Sequence, residues 1–130
     1  MTAVYLVWAP MEHVWGRLPQ VYAALGLEAG VIDAASKVYG TRQQRLGSRL
    51  AGERPSEFLD CGRTPAGAEA ADIYSLTLSV DTTLEEDGEA TIIRTRIGAL
   101  ARPRTASASM VTCTSTGALE AIIARLIGAK

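Results

Sequence analysis

Catalytic side chains are scarce in this chain. It holds one histidine, His13, and two cysteines, Cys61 and Cys113. The cysteines form no CxxC pair, so they make neither a dithiol redox motif nor a four-ligand zinc site. A Cys–His nucleophile pair would have to use His13, which sits beside Val14 in a helical stretch and reads as a surface residue. Charge of one sign is also lacking: 13 basic against 14 acidic residues leave a formal net charge of -1. That removes the global electrostatic case for nucleic acid or an anionic membrane as partner. Long apolar runs are missing, and none approaches the roughly 20 residues of a membrane-spanning helix. The opening MTAVYLVWAP lacks a basic start and its apolar run is too short for a signal peptide. Aromatic residues are only 5% of the total, so Ala, Val, Leu and Ile must fill the core.

What remains is a globular composition. The 130 residues are 48% hydrophobic and 21% charged, enough for one domain over 1–130 with a real core. TAVYLVWA, residues 2–9, is β-rich and predicts a first strand. Pro10 suits a helix start, and Val14, Leu18, Val21, Tyr22 and Leu25 then recur at helical spacing. Pro19 should bend that helix or split it, with Trp15 and Tyr22 both touching the sheet. Gly26 is placed to end it. VIDAASKVYG reads as one strand or a tight hairpin. In TRQQRLGSRLAGERP a helical turn would gather Arg42, Arg45 and Arg49 on one side, although Gly47 and Gly52 limit its length. SEFLDCG is a short strand and RTPAGAEAA a loop.

The clearest pattern is YSLTLSVDTTL. Tyr74, Leu76, Leu78, Val80, Thr82 and Leu84 alternate with Ser75, Thr77, Ser79, Asp81 and Thr83, as in a strand with one wet face. Asp87-Gly88 signals a hairpin turn. The return strand sets Ile93, Thr95, Ile97, Ala99 and Ala101 against Ile92, Arg94, Arg96 and Gly98. SASMVTC predicts a last strand ending at Cys113. A final helix, capped by Gly117 or Thr116, carries Leu119, Ile122, Ile123, Leu126 and Ile127 as its apolar stripe, with Glu120 in the first turn. The order β-α-β(β)-β-β-β-β-α predicts an α+β fold: a single-domain, antiparallel, twisted sheet covered on one face by an N-terminal and a long C-terminal helix.

That element order is similar to the helix-grip arrangement. APMEHVWGRL resembles the AP-x-x-x-VW opening of START-like, polyketide-cyclase-like proteins, and the layout resembles the globular domains of BamC-type envelope lipoproteins. No family catalytic residue maps onto this chain. The resemblance implies a helix-grip-like fold. It also implies a site between sheet and C-terminal helix, whose wall would be Leu76, Leu78, Val80, Ile93, Ile97, Ile122 and Leu126.

Three readings of the cysteines stand beside one another: a nucleophile, two buried thiols, or a disulfide. Even number and similar placement at strand ends favour the Cys61–Cys113 bond. It would tie the C-terminal strand–helix unit to the middle of the sheet. The acidic residues Asp81, Glu85, Glu86, Asp87 and Glu89 cluster at a hairpin tip without an EF-hand pattern and read as a solvated turn. TSTG, with no lysine and no glycine loop, reads as a helix cap. Of the 13 basic residues 11 are arginine, which suits carboxylate, phosphate and interface contacts. Ordinary surface pairing with Glu53, Glu57 and Asp60 is the plainer reading of those in the middle third. Arg94 and Arg96 should share a wet face with Ser75 and Thr77, a candidate interaction surface. The sequence thus leads to a non-catalytic, extracytoplasmic, envelope-type domain whose partner is another protein, with no metal, no cofactor and no enzymatic activity. Its leader would be absent from this chain, and a cytosolic home is left open. A small apolar-ligand or lipid carrier is the alternative.

Overall fold

The computed structural model describes residues 2–104 and 109–128. In chain order the elements are β1 Thr2–Val7, α1 Met11–Ala24, β2 Val31–Asp33, β3 Val38–Arg45, a 3-10 turn Pro55–Glu57, β4 Leu59–Asp60, α2 Ala70–Ile73, β5 Ser75–Asp87, β6 Ala90–Arg102, β7 Val111–Ser115 and α3 Ala118–Ile127. Among the described residues the seven strands form one open antiparallel sheet in the order β2-β3-β5-β6-β7-β4, with β1 also paired to β6. This is the α+β arrangement expected from the element order.

β5 and β6 are the frame. Their alternation is preserved along 13 residue pairs, from Ser75 opposite Arg102 to Asp87 opposite Ala90. Leu76, Leu78, Val80, Thr82 and Leu84 are buried on one face, together with Ile93, Thr95, Ala99 and Ala101 of β6. Gly88 opens the two-residue turn at φ 60°, a left-handed value that favours glycine at the first loop position. The turn is therefore Gly88-Glu89, one residue later than Asp87-Gly88.

Both long helices lie on the buried face. α1 runs unbroken through Pro19 and buries Val14, Leu18, Val21 and Tyr22. It is one helix and not two, and Pro19 lies on its exposed side. Trp15 meets Tyr39 of β3 edge-on at 6.0 Å, and Tyr22 meets the same ring at 4.8 Å, so both aromatics touch the sheet as expected. Gly26 and Leu27 donate back to Ala23 and Tyr22 at 3.1 and 2.9 Å, closing the helix in the manner of a Schellman cap. α3 has ten residues against 14 in α1. Its buried stripe is Leu119, Glu120, Ile123, Ala124 and Ile127. That stripe is rotated from the expected one, and Leu126 is left 43% exposed.

Three local expectations change. Arg42 and Arg45 lie on β3, not on a helical turn. A bulge between Thr41 and Gln44, with Gln43 at φ 45°, breaks the alternation that would have revealed a strand. The supposed loop after Arg63 contains α2, pinned when Ser56 donates to Asp72 through its amide at 2.9 Å and its hydroxyl at 2.7 Å. β7 begins at Val111 and continues past Cys113 to Ser115. Residues 107–108 of the expected last strand lie outside the described residues.

Candidate functional site

Cys61 and Cys113 form a disulfide with Cα atoms 4.2 Å apart. Leu59 opposes Ser115 and Asp60 opposes Thr114, so one further step of the ladder sets Cys61 opposite Cys113. The bond therefore ties β4 to β7 at the outer end of the sheet order, not at its middle. Cys113 is interior to its strand, and neither sulfur is available as a nucleophile. Among the described residues no three His, Cys, Asp or Glu side chains converge on a metal position, and His13 is an exposed residue of α1.

The residues expected to wall a cavity belong to the packed core. Leu76, Leu78, Val80 and Ile93 are buried, and Ile97 and Ile122 pack against them. Leu126 lies outside that cluster and borders a shallow surface hollow with Arg17, Gln20, Val21 and Ala24.

Among the described residues no helix lies over the other face of the sheet. By the register, the rows across it are Thr83 with Arg94, Asp81 with Arg96, Thr77 with Leu100 and Ser75 with Arg102. β1 adds Thr2 beside Arg96, Val4 beside Arg94 and Leu6 beside Ile92. A hollow of about 360 Å³ lies on this face, lined by Thr2, Val38, Arg42, Asp81, Thr83, Arg94 and Arg96. Arg42 pairs with Asp81 and Arg94 with Glu85. Gly40 makes the first pair possible: a Cβ there would stand 2.7 Å from the Asp81 carboxylate and 2.5 Å from the Val80 carbonyl oxygen. Arg96 has no carboxylate partner among the described residues.

Arg94 and Arg96 thus share the expected wet face. Ser75 and Thr77 share it too but lie roughly 13–26 Å farther along the strand, so the four are not one cluster. Sequence reasoning missed Thr2, Val38 and Arg42, which reach the hollow from strands whose register the pattern left open. Arg45 and Arg49 line a different hollow, between the end of α1 and residues 44–52. Arg63 pairs with Glu69 at 3.3 Å, which replaces the expected pairing with Glu53, Glu57 or Asp60.

Two buried polar groups stiffen the scaffold below this face. Tyr22 donates to the Tyr39 carbonyl at 3.1 Å and lies 2.7 Å from the Thr82 hydroxyl. Burial pushes its phenol well above the ordinary tyrosine value, against the lowering effect of the Thr82 bond. Glu120, fully buried, accepts from the Ser115 hydroxyl, which lies 2.6 and 2.8 Å from its two oxygens. Ser115 in turn accepts from the Gly117 amide at 3.1 Å, so the start of α3 is closed by side chains from β7 and from its own first turn.

No helix among the described residues is long and apolar enough to cross a membrane. No protein-family model matches the chain, and no curated protein matches its sequence.

Proposed function

We propose that this is a non-catalytic domain that binds another protein through the helix-free face of its sheet, in an extracytoplasmic compartment of the envelope type. The observation that carries the reading is the arginine-lined hollow with apolar side chains beside it. Arg96 has no carboxylate partner among the described residues, while Val4, Leu6 and Leu100 are exposed on the same face. Arginine next to exposed aliphatic surface is the composition of a protein-binding patch, and an acidic side chain of a partner would satisfy Arg96. The Cys61–Cys113 bond supports the compartment, since structural disulfides persist where the surroundings are oxidising.

Site-specific photo-crosslinking in the native host tests the reading. A crosslinker at Thr83, on the open face, should capture a heterologous protein, while one at Gln20, on the helix side, should not. No adduct from Thr83, or equal adducts from both positions, would overturn it.

A further inference from the structure

We infer that β1 is an edge to which a partner adds a strand, antiparallel to Thr2–Val7 and patterned apolar-x-apolar-x-acidic, with its acidic residue meeting Arg96. The inference rests on the proposal that the helix-free face binds another protein, and it names how that partner docks. β1 bonds to β6 on one side, in a continuous register from Thr2 opposite Arg96 to Val7 opposite Thr91. On its other side no backbone group of Thr2–Val7 has a partner among the described residues. Every second residue of the strand therefore turns an amide and a carbonyl outward. Such an edge is usually blunted by charge, proline or a bulge, and TAVYLV has none of these.

The rows across the helix-free face set the chemistry of the occupant. Thr2, Val4 and Leu6 lie on that face beside Arg96, Arg94 and Ile92, with Val4 57% and Leu6 39% exposed. Apolar residues of an added strand opposite Leu6 and Val4 cover that surface. The residue opposite Thr2 stands two strand spacings from Arg96, about 10 Å, with only the small threonine between them. A glutamate there and the Arg96 side chain together span the gap. The hollow at this spot is lined by three arginines, Arg42, Arg94 and Arg96, and one carboxylate, Asp81. Arg42 is paired to Asp81 and Arg94 to Glu85, so among the described residues Arg96 is the cation of the hollow left for an occupant. Every strand pair in the described sheet is antiparallel, and that pairing is slightly the more stable per residue. Read along an antiparallel partner, the positions opposite Leu6, Val4 and Thr2 give apolar-x-apolar-x-acidic. A second copy of the chain does not fit: twofold pairing of β1 with itself sets a residue of TAVYLVWA opposite Thr2, and none of these is acidic.

Nuclear magnetic resonance titration of the oxidised full chain with two capped peptides tests the inference: Thr-Val-Thr-Val-Thr-Glu-Thr, and the same peptide with lysine in place of glutamate. The glutamate peptide should bind saturably, shift the amides of Thr2–Val7 and the Arg96 guanidinium, and slow amide exchange at every second residue of β1. Leu6→Lys, which guards the edge, and Arg96→Glu should each raise its dissociation constant about fivefold or more, with an unchanged near-ultraviolet spectrum. Arg96→Glu should then favour the lysine peptide. No saturable binding, shifts centred away from β1, no protection of alternate amides, equal binding of both peptides to the wild type, or a dimer paired through β1 would each overturn it. A Thr83 crosslink without peptide binding would overturn the added strand and keep the binding face. Peptide binding without a Thr83 crosslink would support the strand and overturn only the wider proposal for that face.

Discussion

Tyr22 shows how one side chain couples helix to sheet. Its ring packs on Tyr39 while its hydroxyl lies between the Tyr39 carbonyl and Thr82, so a polar group is buried with its partners supplied. Tyr22→Phe keeps the ring and removes the bonds, leaving the carbonyl and Thr82 short of a partner. A loss of about 1 kcal/mol is expected in denaturant unfolding. The pH dependence carries a sign. Because burial raises the folded-state phenol above the ordinary value, the folded state holds its proton after the unfolded chain has released it. The contribution is present in full below about pH 10 and is lost as pH rises further, by about 1.4 kcal/mol per unit. Wild-type stability should fall more steeply than that of Tyr22→Phe between neutral pH and the alkaline limit. Parallel curves would show that this hydroxyl does not carry the effect.

At the scale of elements, the β3–β5 contact is set by a close approach. Gly40 opposes Asp81, and a Cβ there would press on a backbone carbonyl that cannot swing away. Gly40→Ala should cost about 1–3 kcal/mol through overpacking and loosen the Arg42–Asp81 pair. An unchanged denaturation midpoint would show that β3 can shift without penalty. The same strand marks the limit of what the sequence made legible. In β5 apolar and polar residues alternate from Leu76 to Leu84, so the hairpin and its wet face were readable, with the turn displaced by one residue. In β3 the bulge at Gln43 destroys the period, and Arg42 and Arg45 then mimic helical spacing. The apolar stripe of α3 was visible, but its rotation was not, because buried Glu120 replaces an apolar residue and is satisfied by Ser115. The Asp81, Thr83, Arg94 and Arg96 side of the hollow could be read from the β5–β6 hairpin. Arg42, Val38 and Thr2 could be placed only by pairing between strands distant in sequence.

For the whole molecule, the weakly tied part is the excursion from Leu46 to Tyr74 between β3 and β5. Its own pairing to the sheet through β4 is two residues long. Phe58 and Leu59 reach the core, Thr116 donates to the Phe58 carbonyl at 3.0 Å, and the disulfide closes the connection across a sequence separation of 52. On the chain-entropy model that closure contributes about 4 kcal/mol, a large share of an ordinary domain's roughly 5–15 kcal/mol. The proposed envelope setting depends on the same bond. The most direct measurement is the state of Cys61 and Cys113 in the native host, trapped by acid quench and alkylation before lysis and read by intact mass with and without reductant. Both cysteines protected until reduction is the expected result, together with a lower melting temperature for the reduced protein. Two alkylated thiols in the unreduced sample would contradict both the bond and the compartment.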